Sequence, residues 1–139
     1  FFNLHLNIFY IIMNIKSSQT LVQEALKTIK TISPIEALEK VQKKQCNLID
    51  IRDATELQST GRIENSFHIP RGLLEFLIHP KSTYVEKEKL DLEKEIVLFC
   101  AAGGRSALAA KTLKDMGFEN VSHIDGGFNL MKNSGFKIK

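Results

Sequence analysis

Runs of apolar residues and the period at which they recur divide this chain into strands and helices. Ile96, Val97, Leu98 and Phe99 form an unbroken apolar run rich in β-formers, the pattern of a strand covered on both faces. Residues 47–51 (Asn-Leu-Ile-Asp-Ile) and 120–124 read as two more central strands. Residues 66–69 read as a short strand stopped by Pro70, and Thr31-Ile32 as a short edge strand. Between them the spacing turns helical. Leu21, Val22, Ala25, Leu26 and Ile29 share one helix face. Ser33-Pro34-Ile35-Glu36 combines an N-cap, an N1 proline and an N3 acid, which predicts a helix to about Lys43 with Leu38 and Val41 inward.

Asp53 with Glu56 three residues on predicts a capped short helix over 54–59, ended by Gly61. Residues 72–78 carry a wide apolar side and read as helical. Residues 106–116 predict a helix with Ala109, Leu113 and Met116 toward the core, and 128–133 a closing helix ended by Gly135. The charged stretch 79–95 reads as a long surface connection with room for a turn of helix. Strands alternating with helices make βαβ units, hence an α/β fold with a mainly parallel central sheet and helices on both faces.

With 139 residues the chain suits one domain, and 43% hydrophobic with 25% charged residues is ordinary for a globular protein. The net charge of +3 comes from lysines scattered along the chain, with no dense basic stripe, which argues against nucleic-acid binding. The two cysteines, Cys46 and Cys100, make no disulfide framework, so a reducing, cytoplasmic setting is expected. His5, His68, His79 and His123 show no ligand spacing with them, so no metal site and no cofactor are expected. Residues 1–12 are apolar, contain no Lys or Arg and do not begin with Met. They are expected to be a leader foreign to the native protein or disordered, with Met13 the natural start. A membrane-surface anchor is the alternative, and a membrane partner is not favoured. Residues 13–32 then form a helical extension before a domain over 33–139.

The stretch that carries candidate chemistry is Cys-Ala-Ala-Gly-Gly-Arg-Ser, residues 100–106. A cysteine closing an apolar strand is also what a small buried hydrophobe looks like. Here, however, small residues follow it and a helix starts at once. A helix N-terminus gathers unpaired amides and positive potential, Gly103 and Gly104 let the backbone curl inward, and Arg105 adds a charge. Such surroundings favour the thiolate, the nucleophilic form.

That loop resembles the active-site loop of the rhodanese (sulfurtransferase) family. Leu48-Ile49-Asp50-Ile51-Arg52-Asp53 is similar to the family's first central strand, and Gly61-Arg62-Ile63 through Ile69-Pro70-Arg71-Gly72 to its following segment. His123-Ile124-Asp125-Gly126-Gly127-Phe128 resembles the closing strand and turn. The resemblance runs from about Ser33 to the C-terminus. It implies a single-domain rhodanese-like fold in which Cys100 takes a sulfane sulfur from a small anionic donor, thiosulfate or another persulfide. Cys100 would pass that sulfur to a thiol, cyanide or a sulfur-accepting protein. Ala101, Ala102, Gly103, Gly104, Arg105 and Ser106 would bind the substrate through amides and, for Arg105, a guanidinium. Ala101 and Ala102 stand where some thiosulfate-using relatives carry basic residues, so other donors stay open.

Around this loop several readings stand side by side. Arg105 either meets the donor or holds the loop through carbonyls, and Ser106 either lines the cradle or caps the helix. Asp50 and Arg52 form a buried ion pair or support the cysteine, and Arg71 projects toward the pocket mouth or elsewhere. His68 reads as a satisfied strand histidine and Glu56 as a cap. Cys46 reads as structural, with a disulfide to Cys100 as the alternative. Phosphatases and arsenate reductases of related fold carry five residues between cysteine and arginine, whereas four lie between Cys100 and Arg105. The shorter loop favours one sulfur over a tetrahedral oxyanion. A sulfur-relay or binding module without turnover is the remaining alternative.

Overall fold

The computed structural model describes residues 2–139, and its core is a five-stranded, wholly parallel sheet. In chain order the elements are α1 (Phe2–Asn14), α2 (Ser18–Leu26), β1 (Lys30–Ile32), α3 (Pro34–Gln42), β2 (Cys46–Asp50), α4 (Ala54–Thr60) and β3 (Phe67–His68). A 3₁₀ turn (Arg71–Leu73) leads into α5 (Leu74–Leu77). Then come α6 (Thr83–Glu88), β4 (Glu95–Phe99), α7 (Gly104–Asp115), β5 (Val121–Ile124) and α8 (Gly127–Met131). The strands lie in the order β1-β5-β4-β2-β3. The α/β fold expected from alternating patterns is therefore present.

The unbroken apolar run of β4 is explained by its position. It is central, with β2 on one side and β5 on the other, and every one of its residues is buried. Because side chains alternate along a strand, β4 feeds two cores. Ile96, Leu98 and Cys100 pack with Ala109, Ala110 and Leu113 of α7 and with Leu74 and Ile78. Val97 and Phe99 face the other way, onto Ala37 of α3 and Phe128 and Met131 of α8. Helices thus cover both faces, and the cysteine belongs to the α7 side. β1 pairs with β5 through Thr31 and His123, so the sheet begins before Ser33.

Local signals explain most boundaries. Ser33 accepts the amide of Glu36 with Pro34 in the first turn, as its motif predicts. Asp53 and Glu56 form the capping box of α4. Three expectations change. Met116 lies at the C-cap of α7, past the last helical residue, and is 42% exposed. Residues 79–95 are more than a surface connection. Ser82 caps α6, Val85 and Leu90 join the α7-side core, and Tyr84 donates to the carbonyl of His68. The charged residues around those two apolar anchors hide the helix from a periodicity reading. Glu95, placed in that connection by its charge, opens β4 instead and is buried between Lys40 at 2.9 Å and Lys30 at 3.3 Å. Those two ammonium groups outweigh the burial that would raise its pKa, and the net shift is downward.

Where a foreign or disordered leader is expected, the structure has α1, an apolar helix whose Leu4, Phe9 and Tyr10 are 60–70% exposed. No helix among the described residues is long and apolar enough to cross a membrane.

Candidate active site

Ligand sites in parallel sheets lie beyond the C-terminal ends of the strands, and three loops meet there around the end of β4. Cys100 follows Phe99 directly. The loop after β2 leads through Arg52 into α4, and the loop after β5 runs through Asp125-Gly126-Gly127 into α8. Because β5 and β2 flank β4, these neighbours wall the cysteine from both sides.

Cys100 is 1% exposed, and its sulfur accepts hydrogen bonds from the amides of Gly103 at 3.1 Å and Ser106 at 3.3 Å. The backbone curls this way because Gly103 takes φ 110° as the N-cap of α7, a conformation that side chains with a Cβ adopt only under strain. The loop's carbonyls are held outward by α8. Phe128 donates to the carbonyl of Cys100 at 2.8 Å and Asn129 to that of Ala101 at 3.0 Å. That clasp requires Gly127, whose added Cβ would stand 2.2 Å from the Cys100 carbonyl oxygen. Carbonyls tied to one helix and amides supplied by another leave donors pointing at the sulfur. Among the described residues the amides of Ala101 and Ala102 have no protein partner, and those of Gly104 and Arg105 lie in the first helical turn, where no intrahelical acceptor exists. A bound anion would find donors there.

Among the described residues, Arg105 makes no hydrogen bond to a loop carbonyl. Its guanidinium forks onto the carboxylate of Glu56, with both N–O distances at 2.8 Å. Glu56 therefore does two jobs, since the same carboxylate accepts the amide of Asp53 at 2.8 Å. The hydrogen bond from Arg105 comes first among the causes that hold the Glu56 carboxyl down at about 2. The reciprocal bond, ahead of the charge attraction, pushes the Arg105 pKa up. Glu56 was legible as a cap, but its pairing with a residue 49 positions away leaves no local trace.

Ser106 is not the cap of α7, because Gly103 stands there. The hydroxyl is fully buried, within hydrogen-bond distance of two acceptors, Nδ1 of His123 at 2.9 Å and the carbonyl of Gly103 at 3.2 Å, and lies 3.6 Å from the Cys100 sulfur. Asp50 and Arg52 form the buried ion pair, with Nη2–Oδ2 at 2.8 Å. Arg52 also donates to Thr60 and to the carbonyl of Gly61, and its guanidinium lies 4.0 Å from the ring of Phe128. It ties β2, α4 and α8 together behind the loop, and removing one partner would cost about 3–5 kcal/mol by stranding a buried charge. Arg71 turns to Glu75 at 2.6 Å and Thr112 at 3.3 Å, bridging α5 to α7. His68 hydrogen bonds the carbonyl of Arg52 at 2.7 Å.

Cys46 lies at the start of β2, opposite Glu95, while Cys100 follows the far end of β4. Five residues of strand separate those levels, about 16 Å, which no disulfide spans. Burial pushes the Cys46 thiol up to about 11. The described residues include no cluster of three or more His, Cys, Asp or Glu side chains placed to hold a metal ion.

Fold and site define an α/β protein with one cysteine at a helix N-terminus beneath inward-facing amides. Residues 33–134 match the rhodanese-like domain family, and the chain belongs to that family. It is 35% identical over 85 residues to the thiosulfate sulfurtransferase GlpE of Pseudomonas savastanoi pv. phaseolicola, covering 61% of this chain and 71% of that protein. Among solved structures it resembles the polysulfide-sulfur transferase homodimer of Wolinella succinogenes, at 34% identity and TM-score 0.68, covering 86% and 84% of the two chains. It also resembles a Rhodopseudomonas palustris protein of unknown function described as a possible tyrosine phosphatase, at 38% identity and TM-score 0.75, covering 89% and 95%. The family match and the two sulfurtransferase relatives place the chain among the sulfurtransferases.

Proposed function

We propose that Cys100 carries sulfur as a persulfide between a small anionic donor and a thiol or cyanide acceptor. The observation that carries this reading is the pair of amides, Gly103 and Ser106, aimed at its sulfur. The thiolate attacks the sulfane sulfur of the donor. With thiosulfate the S–S bond breaks, sulfite leaves with the electron pair, and Cys100–S–S⁻ remains. An acceptor thiolate or cyanide then attacks the outer sulfur, the new S–S bond breaks, and the cysteine thiolate returns. Charge is conserved in both steps, so the site must only stabilise a diffuse anion. Fixed amides around a buried sulfur do that without reorganising.

Arg105 shapes donor choice. Its charge is matched by Glu56, and no other cation stands in the 100–106 loop. A dianion such as thiosulfate therefore gains less here than a singly charged persulfide does. The arrangement favours singly charged persulfide donors.

The possible-phosphatase description of one structural relative supports a second reading. Its chemistry needs a guanidinium free to grip the oxyanion, and here that group is committed to Glu56. Intact mass after incubation with a persulfide donor or thiosulfate tests the choice. The expected result is a gain of one sulfur atom, reversed by cyanide and absent in Cys100→Ser. Aryl phosphate hydrolysis that depends on Cys100, without sulfur loading, would replace the transferase reading with the phosphatase one.

A further inference from the structure

A nucleophilic thiol must lose its proton, and Cys100 is 1% exposed. The proton's route out is therefore a structural question. Beside the sulfur lies a row of groups that each both donate and accept. Sγ is 3.6 Å from Ser106 Oγ, which is 2.9 Å from His123 Nδ1, and His123 Nε2 is 3.0 Å from Thr31 Oγ1. Ser106 is fully buried, His123 is 2% exposed, and Thr31 on the edge strand is exposed to solvent. The row starts at the buried sulfur and ends at water.

We infer that Ser106, His123 and Thr31 form a proton path from the Cys100 thiol to the protein surface, with His123 acting by exchanging one ring proton for another. In the thiol state every donor points outward: S–H to Ser106, Ser106 O–H to Nδ1 at 2.9 Å in preference to the Gly103 carbonyl at 3.2 Å, and Nε2–H to Thr31. Transfer moves one proton along each link. The sulfur's proton goes to Ser106, the serine's to Nδ1, the Nε2 proton to Thr31 and the threonine's to water. Afterwards the donors point inward, each relay member is neutral again, and the Ser106 hydroxyl donates to the thiolate. The net change is loss of one proton from sulfur to bulk water. The same reversal that exports the proton supplies a third hydrogen bond to the anion, beside the amides of Gly103 and Ser106.

The path requires an uncharged ring, because an imidazolium holds both protons and cannot accept. Burial lowers the His123 pKa, ahead of the opposing charge of Asp125 at the end of its own strand. The neighbouring elements bring it hydroxyls instead of charges: Thr31 from β1 and Ser106 from α7, with the Cys100 sulfur beyond. Sequence reading passed over His123 because it lacks metal spacing, and the pairing of β1 with β5 that sets Thr31 opposite it is visible only in the fold.

This inference rests on Cys100 being the reactive thiol, yet its test is separate from sulfur transfer. In a Cys46→Ser background, the pH dependence of iodoacetamide alkylation reports the Cys100 thiolate. Nitrogen-15 chemical shifts of the His123 ring report which nitrogen holds the proton. The expected result is an Nε2–H tautomer where Cys100 is a thiol, changing to Nδ1–H over the same pH interval in which alkylation rises. Ser106→Ala cuts the link, so the ring should keep one tautomer while alkylation still titrates. The unsubstituted ring decides the matter even if that variant does not fold. A ring that keeps one tautomer across the Cys100 titration overturns the path, as does a tautomer change that persists in Ser106→Ala. Failure of sulfur loading with a normal tautomer change would sink the transferase reading alone.

Discussion

Two cysteines of one chain sit at opposite ends of adjoining strands, and the same atom has different prospects at each. Cys46 opens β2, half-buried against Glu95 at the N-terminal edge of the sheet, and its thiol is pushed up to about 11, chiefly by burial. Cys100 follows β4 at the C-terminal edge and is more deeply buried, yet two amides converge on its sulfur. Burial without donors penalises a thiolate, and burial with donors houses one. The chemistry of this protein lies in which end of a parallel sheet the helix N-termini face.

The largest consequence is a difference in thiol reactivity. At pH 7 a thiol with a pKa near 11 is ionised in roughly one molecule in 10⁴, so Cys46 should alkylate hundreds of times more slowly than an ordinary exposed cysteine. Its rate should climb about tenfold per pH unit until close to 11. Peptide mapping after timed iodoacetamide exposure reads both sites together. Equal labelling of Cys46 and Cys100 at neutral pH would erase the contrast between the two ends.

A smaller effect should separate the amides from mere strain. Gly103 and Gly117 flank α7 with nearly equal left-handed conformations, φ 110° and 108°. A Cβ at Gly117 meets nothing within 4 Å, and one at Gly103 stands 3.4 Å from the amide nitrogen of Gly126. Alanine at either position carries a similar conformational cost, about 1–2 kcal/mol. Only at residue 103 does relaxing that strain swing an amide off the sulfur. Gly103→Ala should slow sulfur loading at saturating donor by about tenfold or more, while Gly117→Ala lowers the melting temperature and leaves loading unchanged. Similar losses in both variants would mean that the cradle contributes nothing beyond stability.

Much of this was legible before any coordinates. Caps at Ser33 and Asp53, the apolar run of β4 and the turn at Gly103 are local signals that local physics reads correctly, whereas Gly104 is already the first residue of α7 and takes no positive φ. What stayed hidden depends on partners distant in sequence. The packing of α6 hides because Val85 and Leu90 find their core across the chain. Buried Glu95 was misplaced because its charge is matched by Lys40 and Lys30 from other elements. At the site, Cys100 and its loop were readable from seven consecutive residues. The commitment of Arg105 to Glu56 and the seating of His123 between Ser106 and Thr31 required the sheet order.

The finest test concerns that commitment. Glu56→Gln keeps an oxygen to accept the Asp53 amide, since glutamine serves in a capping box, but removes the charge that holds the guanidinium. Arg105 and Cys100 already act on each other electrostatically, so a released guanidinium adds attraction for an anionic donor near the loop. The Michaelis constant for thiosulfate should fall about two- to fivefold, the size of a partly screened ion contact, with less change for a singly charged persulfide. The pH dependence gives the same answer from the other side. The folded Glu56 pKa of about 2 lies below its ordinary 4.5, so the pair's contribution to stability is complete above that value and is lost as the pH falls toward 2. The unfolding free energy of the parent should therefore drop more steeply over that acid interval than that of Glu56→Gln. A variant that binds thiosulfate no better would show that Arg105 serves only to anchor α7 to α4, and that donor choice is set by the amides alone.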